Sequence, residues 1–177
     1  LKVGIVWSGN PKNSTNNMRS LPLNLLAKLL DIPGADFYSL QKEMTAGESA
    51  LLEQMPVTDL SSYLHDFADT AAAISALDLV ISVDTSVAHL AGALGKPVWI
   101  FLCFVPDWRW MLQRQDSPWY PTARLFRQST AGDWEGVLEQ ASCALRERIF
   151  QHQEAQPLIE IQPNLELAKK QFNRGNI

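Results

Sequence analysis

Short apolar runs alternate along the chain with stretches whose leucines or alanines recur at helical spacing. Residues 3–7 (Val-Gly-Ile-Val-Trp), 36–40, 79–83, 98–102 and 124–127 read as strands. The runs at 79–83 and 98–102 are almost wholly apolar, the pattern of strands covered on both faces. Helices are predicted at 23–30, ahead of Pro33-Gly34, and more weakly around 47–54. Others are predicted over 69–78 with an Asp or Thr cap, over 86–94 with Gly95 as terminator, and over 133–149 with Asp133 as cap. Residues 8–17 have the composition of a polar loop, and 104–121 form a long aromatic one.

Strands alternating with helices predict βαβ units, hence an α/β fold: a Rossmann-like, doubly wound parallel sheet. Residues 1–150 would form this Rossmann-like domain. Residues 151–177, more polar and interrupted by Pro157 and Pro163, would form a tail with a helix over 164–172. The chain opens in the middle of a strand pattern without an initiator methionine, as expected of a piece of a longer protein.

Ligands in such sheets bind beyond the carboxyl ends of the strands, so the loops after Trp7, Leu40, Val83 and Leu102 are where chemistry is expected. The densest signal is Asp84-Thr85-Ser86-Val87-Ala88-His89, where a buried strand runs straight into a helix. A first helical turn aimed out of a sheet attracts phosphate through unpaired N–H groups and the helix dipole. The hydroxyls of Thr85 and Ser86 could add donors, and His89 lies one turn further on the same face. Asp84 would repel a phosphate, so in contact with a ligand it would accept from a sugar hydroxyl. The alternative is that Asp84 or Thr85 merely caps the helix and His89 is a satisfied, half-buried side chain.

Ser8-Gly9-Asn10 would let a ligand approach the backbone closely, and Arg19 could pair bidentately with phosphate oxygens. The alternative there is a solvated surface loop. Gln41 and Lys42 follow the second strand, at the position of a ribose or base contact in doubly wound sheets, or form a solvated turn. In the aromatic loop, Arg109 could meet phosphate, although the rings around it are expected mainly to close a small core beneath the loop. There is neither GxxxxGK[ST] nor GxGxxG after a strand, which leaves ATP hydrolysis and nicotinamide chemistry without support.

Composition narrows the field. The 177 residues carry 15 lysines and arginines against 19 aspartates and glutamates, a formal charge of -4. That balance disfavours a nucleic-acid partner. No apolar run approaches a membrane span. Cys103 and Cys143 are far apart without metal-ligand spacing, so neither a metal nor a cofactor is expected, and a reducing, cytoplasmic location fits.

The Asp84-Thr85-x-x-x-His89 core, with the Ala-Gly-Ala-Leu-Gly-Lys-Pro-Val that follows it, resembles the donor-site motif of heptosyltransferase-like glycosyltransferases, family nine. Residues 3–19 look like the nucleotide-side loop of the same domain, and 106–136 are similar to a bacterial branch linked to tetratricopeptide repeats. The resemblance implies one half of a GT-B architecture, the carboxyl-terminal domain that holds a nucleotide diphosphate sugar. It places Asp84, Thr85, Ser86 and His89 at the sugar and diphosphate, Ser8, Gly9 and Arg19 at the diphosphate, and Gln41 and Lys42 near the nucleoside. The general base would lie in an N-terminal domain of the same protein, and the acceptor is not identified. Many heptosyltransferases carry glycine where this chain has Ser86, and their loop after the next strand is unlike 104–121. The expected function is donor binding in a metal-independent glycosyltransferase. The alternatives are a non-catalytic interaction module retaining the fold and a GT-B-like nucleotide-sugar epimerase.

Overall fold

A computed structural model describes residues 1–13 and 16–155. It contains one sheet of six parallel strands: β1 (Lys2–Val6), β2 (Asp36–Ser39), β3 (Val57–Asp59), β4 (Leu79–Val83), β5 (Val98–Leu102) and β6 (Ala123–Arg127), in the order β3-β2-β1-β4-β5-β6. The helices are α1 (Asn16–Arg19), α2 (Ala27–Leu30), α3 (Ala46–Leu52), α4 (Phe67–Ser75), α5 (Ser86–Ala93) and α6 (Trp134–Ala155). This is the Rossmann-like α/β fold that the strand and helix pattern predicts.

Side chains of successive residues alternate across the sheet and build two apolar layers. Val3, Ile5, Leu79, Ile81, Val83 and Phe101 face α2, α3 and α6 on one side. Val6, Val80, Val98, Ile100 and Leu102 face α4 and α5 on the other. Both central strands β4 and β5 are buried along their whole length, which explains their near-continuous apolar sequence. Strand order reverses between β1 and β4: the chain winds outward from β1 through β2 to β3, and from β4 through β5 to β6. Their carboxyl ends, at Val6 and Val83, therefore flank a crevice that no crossover helix covers.

Several boundaries differ from expectation. The helix expected over 23–30 is a 3₁₀ turn at Leu23–Leu26 continued by α2. The helix expected over 69–78 begins two residues earlier, because the Asp66 carboxylate accepts from the amides of Ala68 and Asp69. Strand β3 was not predicted; it is three residues long, and its pattern is half-buried, exposed, exposed. The helix expected to end at Ile149 continues to Ala155. The helix expected over 164–172 lies outside the described residues. Among the described residues, no helix is long and apolar enough to cross a membrane.

Two anchors fix the start of the crevice. The Gln41 side-chain oxygen accepts from the amides of Trp7 (3.2 Å) and Ser8 (3.1 Å), tying the end of β1 to the end of β2. The Trp7 indole N–H donates to Glu48 Oε1 at 2.8 Å, and Glu48 closes a capping box with Thr45 at the start of α3. Partial burial opposes ionisation of Glu48, but the Thr45 amide, the Trp7 indole and the Thr45 hydroxyl outweigh it and hold the carboxyl below its ordinary value.

A depressed folded-state pKa adds stability above the unfolded value, about 4.3, and that stability is lost as pH falls through the folded value. The urea midpoint of the native chain should therefore drop more steeply than that of Glu48→Gln below about pH 4.5. The two curves should run parallel at neutral pH, with the native chain above. Ile81, 2% exposed in the middle of β4, should cost about 2–5 kcal/mol when changed to alanine, read as a shift of the urea midpoint at unchanged slope.

Candidate functional site

The crevice between the ends of β1 and β4 opens into a cleft of about 680 Å3, within the ordinary size of small-molecule sites. All eleven residues singled out from the sequence line it. Ser8, Gly9 and Asn10 come from the loop after β1, Arg19 from α1, and Gln41 and Lys42 from the loop after β2. Asp84, Thr85, Ser86 and His89 come from the β4–α5 junction, and Arg109 from the aromatic loop.

The β4–α5 junction is built around an unusual cap. Thr85 stands at the N-cap of α5 in extended backbone, yet its hydroxyl caps nothing. Ser82 donates its own hydroxyl hydrogen to the Val83 carbonyl at 2.7 Å, so Thr85 must donate to Ser82 Oγ, 2.9 Å away. With that side chain turned inward, the first-turn amides of α5 keep their donors for whatever enters the cleft. Helices α3 and α4 start on side-chain caps from Thr45 and Asp66. The contrast separates a helix start that serves the fold from one left open at the cleft. Ser86, at the first helical position, is exposed on the cleft wall.

Asp84 sits at the end of β4 with its side chain only 8% exposed. Arg19 Nη1 donates to its Oδ2 at 3.0 Å, and His89 Nε2 faces its Oδ1 at 3.8 Å. The arginine expected to face a diphosphate and the aspartate expected to face a sugar thus form one ion pair across the floor of the crevice. His89 is held by two further groups that the sequence reading had not singled out. Tyr120 meets its Nδ1 at 3.0 Å, and the Trp110 ring stacks on it with centroids 5.1 Å apart and planes 19° apart.

The remaining candidates differ in how much of their chemistry is free. Gln41 is buried, and besides its two accepted bonds it donates to the Glu43 carbonyl. Its polar atoms therefore shape the cleft wall. Gly9 gives its amide to Asn16 Oδ1 at 3.0 Å, and a Cβ there would lie 2.8 Å from that oxygen, so the room beside it is filled by Asn16. Asn10 accepts from the Lys12 amide, and Lys42 reaches the His65 carbonyl. Arg109 pairs with Asp107 Oδ1 at 2.8 Å and lies over the Trp108 ring. The Arg109 amide, acting against slight burial, and then its guanidinium hold the Asp107 carboxyl below its ordinary value. Asp107, Asn13 and Asn16 are cleft residues that the sequence reading did not pick out. The Pro-Asp-Trp-Arg segment was the available signal for Asp107.

Burial pushes the Cys103 thiol above its ordinary value, and its Sγ contacts the Val105 carbonyl, so this cysteine is not an activated nucleophile. Among the described residues, no three His, Cys, Asp or Glu side chains come together as a metal-ligand set.

The aromatic loop corrects one expectation. Trp110 is fully buried and Tyr120 half-buried, but Phe104, Trp108 and Trp119 are 52%, 71% and 56% exposed. The small core under the loop is therefore essentially Trp110, Tyr120 and the imidazole of His89.

The model for glycosyltransferase family 9 (heptosyltransferase) matches residues 41–100, a span that contains β4, the β4–α5 junction and all of α5. Protein FlbA of Caulobacter vibrioides is 30% identical over 151 residues, 82% of this chain and 25% of that protein. The chain thus spans about a quarter of that relative. A crystal structure of a family 9 glycosyl transferase from Veillonella parvula superposes with a TM-score of 0.62 at 15% identity, over 85% of this chain and 47% of that one. The family 9 match thus lies on the segment that supplies Gln41, Lys42, Asp84, Thr85, Ser86 and His89 to the cleft, and the family 9 structure shares the fold.

Proposed function

We propose that this domain binds the donor of a metal-independent glycosyltransferase, a nucleotide diphosphate sugar, and acts with a further part of a longer protein. The observation that carries the reading is the uncapped N-terminus of α5 opening beside the Arg19–Asp84–His89 cluster. Donors for an anion and an acceptor for hydroxyls are there set side by side. A diphosphate would lie over the first turn of α5, where amide N–H groups, the helix dipole and Arg19 all favour negative charge.

In glycosyl transfer an acceptor oxygen attacks the anomeric carbon while the bond from that carbon to the diphosphate breaks. The electron pair leaves on the phosphate oxygen. Fixed donors aimed at that oxygen lower the barrier because they need no reorganisation as charge develops. The α5 amides, the Ser86 hydroxyl and Arg19 would fill this role. Asp84 would accept from sugar hydroxyls and, through its bond to Arg19, fix the guanidinium toward the phosphates. Thr85, whose hydroxyl is committed to Ser82, would contribute its lone pairs and its backbone. The proton of the acceptor would pass to a base outside this chain, which spans about half of the matched family 9 structure.

Titration of the chain with ADP, UDP and GDP and their sugar conjugates tests the reading by calorimetry. One nucleotide should bind saturably, and the chain alone should transfer no sugar. Arg19→Ala should weaken that nucleotide about 10- to 100-fold, the worth of a charge-assisted hydrogen bond. Asp84→Asn should weaken the nucleotide sugar about tenfold while leaving the nucleoside diphosphate within about threefold, since an asparagine oxygen can still accept from Arg19 whereas the sugar hydroxyls lose a charged acceptor. Absence of binding to every nucleotide would remove the transferase reading and leave an interaction module of the same fold. Release of an epimerised free donor by the full-length protein would instead select an epimerase.

A further inference from the structure

His89 is the one imidazole lining the cleft, and three elements converge on it: Asp84 from the end of β4, and Trp110 and Tyr120 from the aromatic loop. The approach of Tyr120 depends on α5 itself. A Cβ on Gly92, one turn beyond His89, would stand 2.4 Å from Tyr120 Cγ, so the ring reaches the imidazole only because this position carries a hydrogen.

We infer that Tyr120 and Trp110 are positioning residues that hold His89 as its Nε2–H tautomer, with that N–H turned toward Asp84 and the cleft. Carboxylate Oδ1 of Asp84 faces Nε2 and can only accept, so in the neutral ring the proton belongs on Nε2. Nδ1 then carries a lone pair, and the Tyr120 hydroxyl, 3.0 Å away, donates to it. Stacking on the buried Trp110 fixes the ring plane, because rotation about χ2 would break both the stack and the Tyr120 bond. Among the described residues, the other charged groups lining the same cleft are Arg19, paired with Asp84, Arg109, paired with Asp107, and Lys42 and Glu43. The use of the oriented N–H, a fixed donor to the bound diphosphate or sugar, rests on the donor-binding reading above. The tautomer itself does not.

The test is a two-bond 1H–15N spectrum of the histidine-labelled chain, at a pH where the imidazoles are neutral. The sequence has three histidines, and loss of one signal set in His89→Gln assigns the site. The native chain should show a pyrrole-type Nε2 and a pyridine-type Nδ1 for His89. Tyr120→Phe keeps the ring and removes the hydroxyl; it should move Nδ1 toward the tautomer average and weaken the bound nucleotide sugar about fivefold, the effect of one neutral hydrogen bond. Gly92→Ala, which displaces the tyrosine ring, should reproduce the shift. Leu112→Ala, on the exposed part of the same loop, should leave the His89 signals unchanged. An Nδ1–H tautomer in the native chain, or a His89 spectrum unmoved by Tyr120→Phe, overturns the inference. The spectral shift in a chain that binds no nucleotide would support the positioning while removing the donor-binding reading.

Discussion

A carboxylate at the end of a strand buried on both faces is costly unless its charge is answered locally. Asp84 is in that position, and most of what surrounds the cleft follows from it. Arg19 is brought over from α1 to pair with it at 3.0 Å, which draws the loop after β1 across the crevice. His89 presents Nε2 to the other carboxylate oxygen and is braced from behind by Trp110 and Tyr120. The aromatic loop is thereby tied to α5, and α5 has no side chain at Gly92 to obstruct it. Truncating Asp84 would leave Arg19 partly buried without its partner and His89 without the group that selects its tautomer. The carboxylate thus organises three separate segments of the chain.

The sheet was readable in the sequence where burial left its mark. Residues 79–83 and 98–102 have no polar face because they have no solvent face, and both strands appear at those bounds. Strand β3 was invisible for the converse reason. An edge strand of three residues, two of them Thr58 and Asp59 exposed to water, carries no periodic signal and is defined only by its pairing with β2. The start of α4 was misplaced because Asp66 and Asp69 are both plausible caps, and hydrogen bonding to Ala68 and Asp69 decides for Asp66.

The membership of the cleft was legible from one rule, that ligands gather at the carboxyl ends of parallel strands. The partnerships within it were not. Arg19 and Asp84 are 65 residues apart, His89 and Tyr120 are 31 apart, and Gln41 reaches 34 residues back to the amide of Trp7. Local spacing carries no information about such pairs, and residues chosen as free ligand contacts proved to be engaged with one another. The aromatic loop is less buried than its composition predicts for a related reason. Among its rings, Trp110 and Tyr120 have a partner surface, supplied by His89 and Gly92 of α5, and Phe104, Trp108 and Trp119 stay exposed. The loop is held mostly by polar ties: Asp107 caps the 3₁₀ turn at Trp108–Trp110, and Arg127 donates to the carbonyls of Trp110 and Arg114.

These pairings bear on how an acidic chain can receive a polyanion. Two of the arginines facing the cleft are already neutralised, Arg19 by Asp84 and Arg109 by Asp107. A simple excess of cations therefore would not account for the diphosphate binding proposed above. Beside these pairs lies the open start of α5, where oriented amides concentrate partial positive charge within one turn. The Ser82–Thr85 hydrogen bond is what leaves that helix start without a side-chain cap. A fixed dipole beside a charge pair binds less strongly than two free arginines would, but it holds its geometry when a sugar's leaving group gains charge. The specificity of such a cleft would then rest on the hydroxyls that Asp84 accepts rather than on total charge.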